Sequence, residues 1–235
     1  MNRFIHFFFI MISISVSQSG WMTQRISNGL HGIKNTITAN PSKQILLGGG
    51  VCAILATQMD GDVQDWFLEN QPLPKSINHF GDLYGNLYSG FIILSVAGVS
   101  AIQSKSLNKF EYAFATLGAN GVTTVLLKEM VGRERPNGAN HRSFPSGHTS
   151  HSFATATIFK ESFGWKLGAP AYCLATITAM NRIQDNKHYL SDVVFGASLG
   201  TAFGMGFSKV YLNDSKQVDM AFNPFRSEVQ ISVLF

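Results

Sequence analysis

Three clusters in this chain gather side chains that bind or attack a phosphate. Lys128 and Arg135 stand seven residues apart in Lys128-Glu129-Met130-Val131-Gly132-Arg133-Glu134-Arg135-Pro136. That is nearly two helical turns, so both cations can face one side, although Pro136 biases Arg135 away from helical geometry. Two cations converging on one cleft suit a tetrahedral oxyanion. The second cluster, Phe144-Pro145-Ser146-Gly147-His148-Thr149-Ser150, leads into a helix, whose free N–H groups and positive dipole end attract anions. There Gly147 lets an anion approach the backbone, Ser146 adds a hydroxyl donor, and His148 can act as general acid or base. The third runs from Asn181 and Arg182 through His188 to Asp192. His188 and Asp192 are four apart and share one face of a helix start. A carboxylate on one ring nitrogen fixes the tautomer and leaves the other nitrogen free to attack phosphorus. Arg182 adds a third cation around the same group.

Singly, each cluster has an ordinary reading: solvated helix ends, a helix cap, a structural hydrogen bond. Their order and spacing together point to a phosphate site. Lys-x6-Arg-Pro, Pro-Ser-Gly-His and Arg-x5-His-x3-Asp resemble the three-part signature of the type 2 phosphatidic acid phosphatase family, whose superfamily includes bacterial class A acid phosphatases and vanadium haloperoxidases. The match covers Lys128 to Asp192 directly, and the helical pattern from about Gln44 to Leu212 fits it. The resemblance implies a helical bundle with its active site at the ends of several helices, and hydrolysis through a phosphohistidine with no metal and no other cofactor. It implies His188 as nucleophile, Asp192 as its orienting partner, and His148 as the group that protonates the leaving oxygen and then activates water. Lys128, Arg135, Ser146, Gly147 and Arg182 would hold the phosphate oxygens. Two departures stand out. Asn181 occupies a position where the family usually has Ser; its amide can still donate and accept hydrogen bonds, which predicts changed hydrogen bonding around the site with activity kept. The stretch from Asn137 to Phe144 is shorter than in many relatives and predicts a narrower mouth.

The elements that must position these groups are helical. Apolar segments run over Gln44–Met59, Leu83–Gln103, Tyr112–Leu127, Leu167–Met180 and Val193–Leu212, and an amphipathic one over Ser146–Phe159. They are rich in Gly, Ala, Ser and Thr, a texture that suits closely packed helices. Leu83–Gln103 alone is uncharged for long enough to span a bilayer comfortably. The expected fold is all-α, a bundle of about five to six core helices over residues 44–212. Alternation at Val218, Met220 and Phe222, and again at Val229, Ile231, Val233 and Phe235, predicts a short C-terminal β-hairpin within the tail 213–235. Asp60, Asp62 and Asp65 lack the later ligands of a calcium loop and read as a solvated helix start.

Arg3, the apolar run Phe4–Val16 and the small Ser17 and Ser19 follow the order of a secretory signal peptide over 1–19. A loose polar leader, 20–43, is expected after it. Export would place the chain in the cell envelope, facing the periplasm. Cys52 and Cys173, each within an apolar run, read as buried free thiols.

Of 235 residues, 45% are hydrophobic and only 14% charged, with a net charge of +4. That balance excludes a disordered chain and argues against a nucleic-acid partner. A lipid phosphate or lipid diphosphate at a membrane is the expected substrate; a small phosphomonoester and a soluble exported acid phosphatase are the alternative. A vanadium haloperoxidase and a non-enzymatic scaffold are minor readings. The oligomeric state is not legible.

Overall fold

A computed structural model describes residues 20, 22–212, 218–223 and 228–233, with the backbone alone at 87 and in the last two stretches. The expected signal peptide lies outside the described residues. The chain builds helices α1 (22–38), α2 (Ser42–Ala56), α3 (Asp60–Asn70), α4 (Lys75–Leu83), α5 (Ser89–Ser104), α6 (Asn108–Val131), α7 (Gly147–Phe163), α8 (Trp165–Gln184) and α9 (Leu190–Tyr211).

α7 is the centre of the bundle, enclosed by α6, α8 and α9. Most of the residues it buries are small, among them Ser150, Ala154 and Thr157, with Ile158 and Phe159 at its far end. α9 meets it through glycines four apart. A Cβ on Gly196 would stand 2.7 Å from the Ser146 carbonyl oxygen, one on Gly200 2.0 Å from that of Ser150, and one on Gly204 2.5 Å from Thr157 Cβ. Backbone therefore packs on backbone, as small residues at i and i+4 permit. Tyr112 of α6 closes the third side, fully buried, donating its hydroxyl to the Gly204 carbonyl at 2.8 Å. Ile93, Leu199, Phe203 and Phe207 complete the main apolar core.

All six segments read from the sequence are helical, but four features differ. The stretch expected to be a loose leader is helical over 22–38, because Gly32 and Thr36 pack against Phe207 and Gly206 of α9. Leu83–Gln103 is not one straight helix. A π-helical turn, Tyr84–Tyr88, has non-helical geometry at Asn86 and bends the chain by 59° between α4 and α5. Lack of charge alone does not reveal such a break. The single helix long and apolar enough to cross a membrane among the described residues is α9, and it is mostly buried in the bundle. Cys52 and Cys173 are free thiols, as expected, but exposed rather than buried. Cys52 lies on α2, which also exposes Leu47, Val51 and Ile54, and Cys173 on α8, which exposes Trp165 and Leu167. The all-helical bundle is the fold established, and a hairpin in the tail stays an expectation.

Candidate active site

The ends of α6, α7, α8 and α9 meet, and the three clusters meet with them. α6 stops at Val131 because Gly132 adopts φ +58°, with its N–H bonded to the Lys128 carbonyl at 3.0 Å, a left-handed cap that favours glycine. Arg135 therefore lies beyond the helix, in the loop that returns to α7. Lys128 remains in the last turn and ties that loop down. Its ammonium donates to the carbonyls of Arg142 at 2.7 Å and Pro145 at 2.6 Å. Burial first, and Arg135 second, lower its pKa to about 8.

Ser146 caps the start of α7, buried, its hydroxyl sharing a 2.9 Å hydrogen bond with Thr149. Its N–H donates to the Asp192 carbonyl at 3.0 Å, which fastens the start of α7 to that of α9. Gly147 sits beside the stem of Lys128, with room for a Cβ at 3.6 Å from Cε. A side chain there would meet only ordinary contacts, so packing does not demand the glycine.

His188 lies in the turn before α9, with its N–H on the Arg182 carbonyl at 3.2 Å. Its Nδ1 is 3.8 Å from Asp192 Oδ2, longer than a hydrogen bond, and has no other partner among the described residues. Asp192 is fully buried and held by three donors. It accepts from the Ser143 hydroxyl at 2.6 Å, the Tyr189 N–H at 2.9 Å and Arg133 Nη1 at 2.8 Å. Burial would raise its pKa, but His188, Ser143 and Arg133 outweigh it and hold the carboxylate below its ordinary range. Burial lowers His188 to about 4, against the opposing pull of Asp192. His148 drops to about 3, through burial first and Arg182 second. Both imidazoles are neutral in the empty site at neutral pH.

Arg182 is almost fully buried and held by its neighbours. Its Nε donates to Asn181 Oδ1 at 2.7 Å, and its Nη2 reaches Asn181, Asp82 and, at 3.3 Å, Asp185. Asn181 thus accepts from Arg182 with its oxygen, while its amide donates to Asn78 Oδ1 at 2.7 Å. The residue that departs from the family pattern is the link between Arg182 and α4. Arg135 has a buried Nε without a partner among the described residues. Its pKa is lowered by burial and then by Arg182 and Arg142. Cations crowded together in this way, with one donor unspent, make a pocket that favours an anion.

Four contributors escape the sequence reading. Arg133 bridges Asp192 and Asp60, at 2.8 Å to each. Asp60, expected to be solvated, is buried, and accepts from the N–H and hydroxyl of Ser191 at 2.8 and 2.7 Å. Ser143 holds Asp192. Asp82 comes from α4, an element the hydropathy pattern did not outline. The neighbouring loop residues sit apart: His141 is exposed, and Arg142 pairs with Glu129 at 2.7 Å.

The stretch that carries all three clusters, residues 109–216, matches the model of the PAP2 superfamily. That match covers a little less than half of the chain. An 80-residue stretch of the chain is 40% identical to the lipid A 1-phosphatase of Porphyromonas gingivalis, covering 33% of this chain and 18% of that protein. A 141-residue stretch is 29% identical to the decaprenylphosphoryl-5-phosphoribose phosphatase of Mycobacterium tuberculosis, covering 55% of this chain and 74% of that one. The chain therefore spans less than a fifth of the first relative's length. Among solved structures, LpxE of Aquifex aeolicus superposes with a TM-score of 0.54 at 22% identity, covering 64% of this chain and 95% of that one. That likeness is one of fold: the two chains share a helical bundle of the same kind.

Proposed function

We propose that the chain is a phosphohydrolase that works without a metal ion, acting on lipid phosphates through a phosphohistidine intermediate. The observation that carries this reading is the convergence of His188, His148 and three cations at one set of helix ends. Lys128, Arg135 and Arg182 supply the positive charge that phosphoryl transfer needs. His188, neutral and backed by Asp192, attacks phosphorus as the bond to the leaving oxygen breaks. His148 gives that oxygen a proton, then takes one from the water that cleaves the phosphohistidine. A bound phosphate dianion offsets Arg182 beside His148, and so raises the proton affinity of an imidazole that is neutral in the empty site.

Two further observations support a lipid substrate. Both relatives named above act on phosphates carried by lipids, as their names state. The bundle also exposes large apolar side chains, among them Leu47, Ile54 and Leu55 on α2 and Phe114, Val122 and Leu126 on α6. An apolar surface of that kind fits contact with a membrane. Hydrolysis of a short-chain lipid phosphate in detergent tests the reading. Activity should persist in EDTA and be inhibited by vanadate, which mimics the five-coordinate transition state. Loss on chelation with recovery on adding a divalent metal would refute it.

A further inference from the structure

A carboxylate outside the three clusters reaches the site. Asp82 Oδ1, from the last turn of α4, accepts from Arg182 Nη2 and lies 3.8 Å from both His148 Nε2 and Lys187 Nζ. Its backbone is held firmly. The Thr178 hydroxyl donates to the Gly81 carbonyl at 3.0 Å, and the Asn78 amide donates to Asp185 Oδ1 at 2.7 Å. A Cβ on Gly81 would come within 3.1 Å of Asn181 Cβ, so α4 lies directly on α8. The Arg182 side chain is 2% exposed and that of Asp82 38%. The carboxylate is thus on the open flank of the guanidinium.

Charge is divided unevenly across the pocket. On the His148 side, Asp82 and Asp185 offset Arg182 and Lys187. On the His188 side, Arg133 is shared between Asp192 and Asp60, while Lys128 is bonded to carbonyls and Arg135 Nε to nothing among the described residues, so three cations face two carboxylates. The uncompensated positive charge therefore lies toward the nucleophile. A leaving oxygen that takes its proton from His148 departs beside Asp82.

We propose that Asp82 makes the site select phosphate monoesters, whose leaving group is an uncharged alcohol, over diphosphates, whose leaving group is itself a phosphate anion. The proposal rests on the phosphatase reading above. With either substrate the bond from His188 to phosphorus forms as the bond to the leaving oxygen breaks, and the His148 proton goes to that oxygen. From a monoester it departs as a neutral alcohol. From a diphosphate it departs as a phosphate monoester, still negative and next to the carboxylate.

The test compares dodecyl phosphate with dodecyl diphosphate in detergent micelles, using the wild type and Asp82→Asn, which keeps the acceptor oxygen and removes the charge. The wild type should prefer the monophosphate in kcat/KM. Asp82→Asn should shift that preference toward the diphosphate by at least about tenfold. A wild-type preference for the diphosphate overturns the proposal. So does an active variant with an unmoved ratio, which would leave Asp82 merely holding Arg182. Turnover of neither substrate by the wild type removes the phosphatase reading and this inference with it. Should the variant not fold, the wild type still decides. Pyrophosphate should inhibit dodecyl phosphate hydrolysis at least about tenfold more weakly than orthophosphate, and tighter inhibition by pyrophosphate overturns the proposal.

Discussion

Asp192 and Asp82 each stand 3.8 Å from a histidine of the site, yet their surroundings share little. Asp192 is sealed in, its oxygens taken up by Arg133, Ser143 and the Tyr189 N–H. Asp82 is more than a third exposed, on a helix that ends in an irregular turn. A carboxylate sealed in and held by three protein donors can orient its neighbour and do little else. One that faces the opening meets whatever enters. The two flanks of the pocket therefore divide the labour between fixed geometry and discrimination.

The comparison breaks most sharply at the histidines. His188→Ala should abolish turnover of every substrate, because no covalent intermediate forms. A burst of p-nitrophenolate from that variant in rapid-quench kinetics would move the nucleophile to the other flank. His148→Ala should cost about 100- to 10,000-fold on an alkyl phosphate, whose alkoxide needs the proton. A p-nitrophenyl ester, with a weakly basic leaving group, should lose far less in its first step. Equal damage to both would deny His148 the role of acid.

Arg182→Lys should lower kcat/KM at least about tenfold, roughly 1.4 kcal/mol. An ammonium lacks the planar fork with which the guanidinium bonds Asn181 and Asp82 and can also offer parallel donors to a phosphate. Unchanged steady-state kinetics in the folded variant would place Arg182 outside the site.

The smallest expected effect is on stability. His148 and His188 have pKa values of about 3 and 4 in the fold, against about 6.5 unfolded. Between those limits the unfolded chain binds more protons, so stability is present above about pH 6.5 and falls as the pH drops toward 4. Thermal unfolding should give a Tm lower at pH 5 than at pH 7.5, with the difference reduced in His148→Ala and His188→Ala. A Tm that rises on acidification would contradict the neutral imidazoles.

Much of this was legible in the sequence because it is local. Apolar runs rich in small residues announced α6, α8 and α9, and short spacings announced Lys128, His148, His188 and Asp192. What stayed hidden depends on encounters between distant segments. Asp82 meets Arg182 across 100 residues and Asp60 meets Ser191 across 131, and nothing in either neighbourhood marks the partner. Arg133 lies inside the first cluster, yet only the fold shows it turned toward Asp192. The break at Asn86 escaped because Leu83–Gln103 was read by its lack of charge, although Gly85 and Asn86 interrupt its apolar run. Exposure of the cysteines escaped for a related reason, since an apolar run does not say which of its faces is inward.

The contact between α7 and α9 bears on how the site responds to heat. Where Gly196 and Gly200 rest against the backbone of Ser146 and Ser150, no side chain stands between the two helices. Such a contact has no rotamers to populate and no flexible stem to stretch. One helix start carries the proposed acid and the other follows directly on the proposed nucleophile. Their separation is therefore set by main-chain atoms, like the gap between two parts machined to fit. Warming should leave that gap almost constant until the helices part, so catalytic spacing ought to fail abruptly rather than drift.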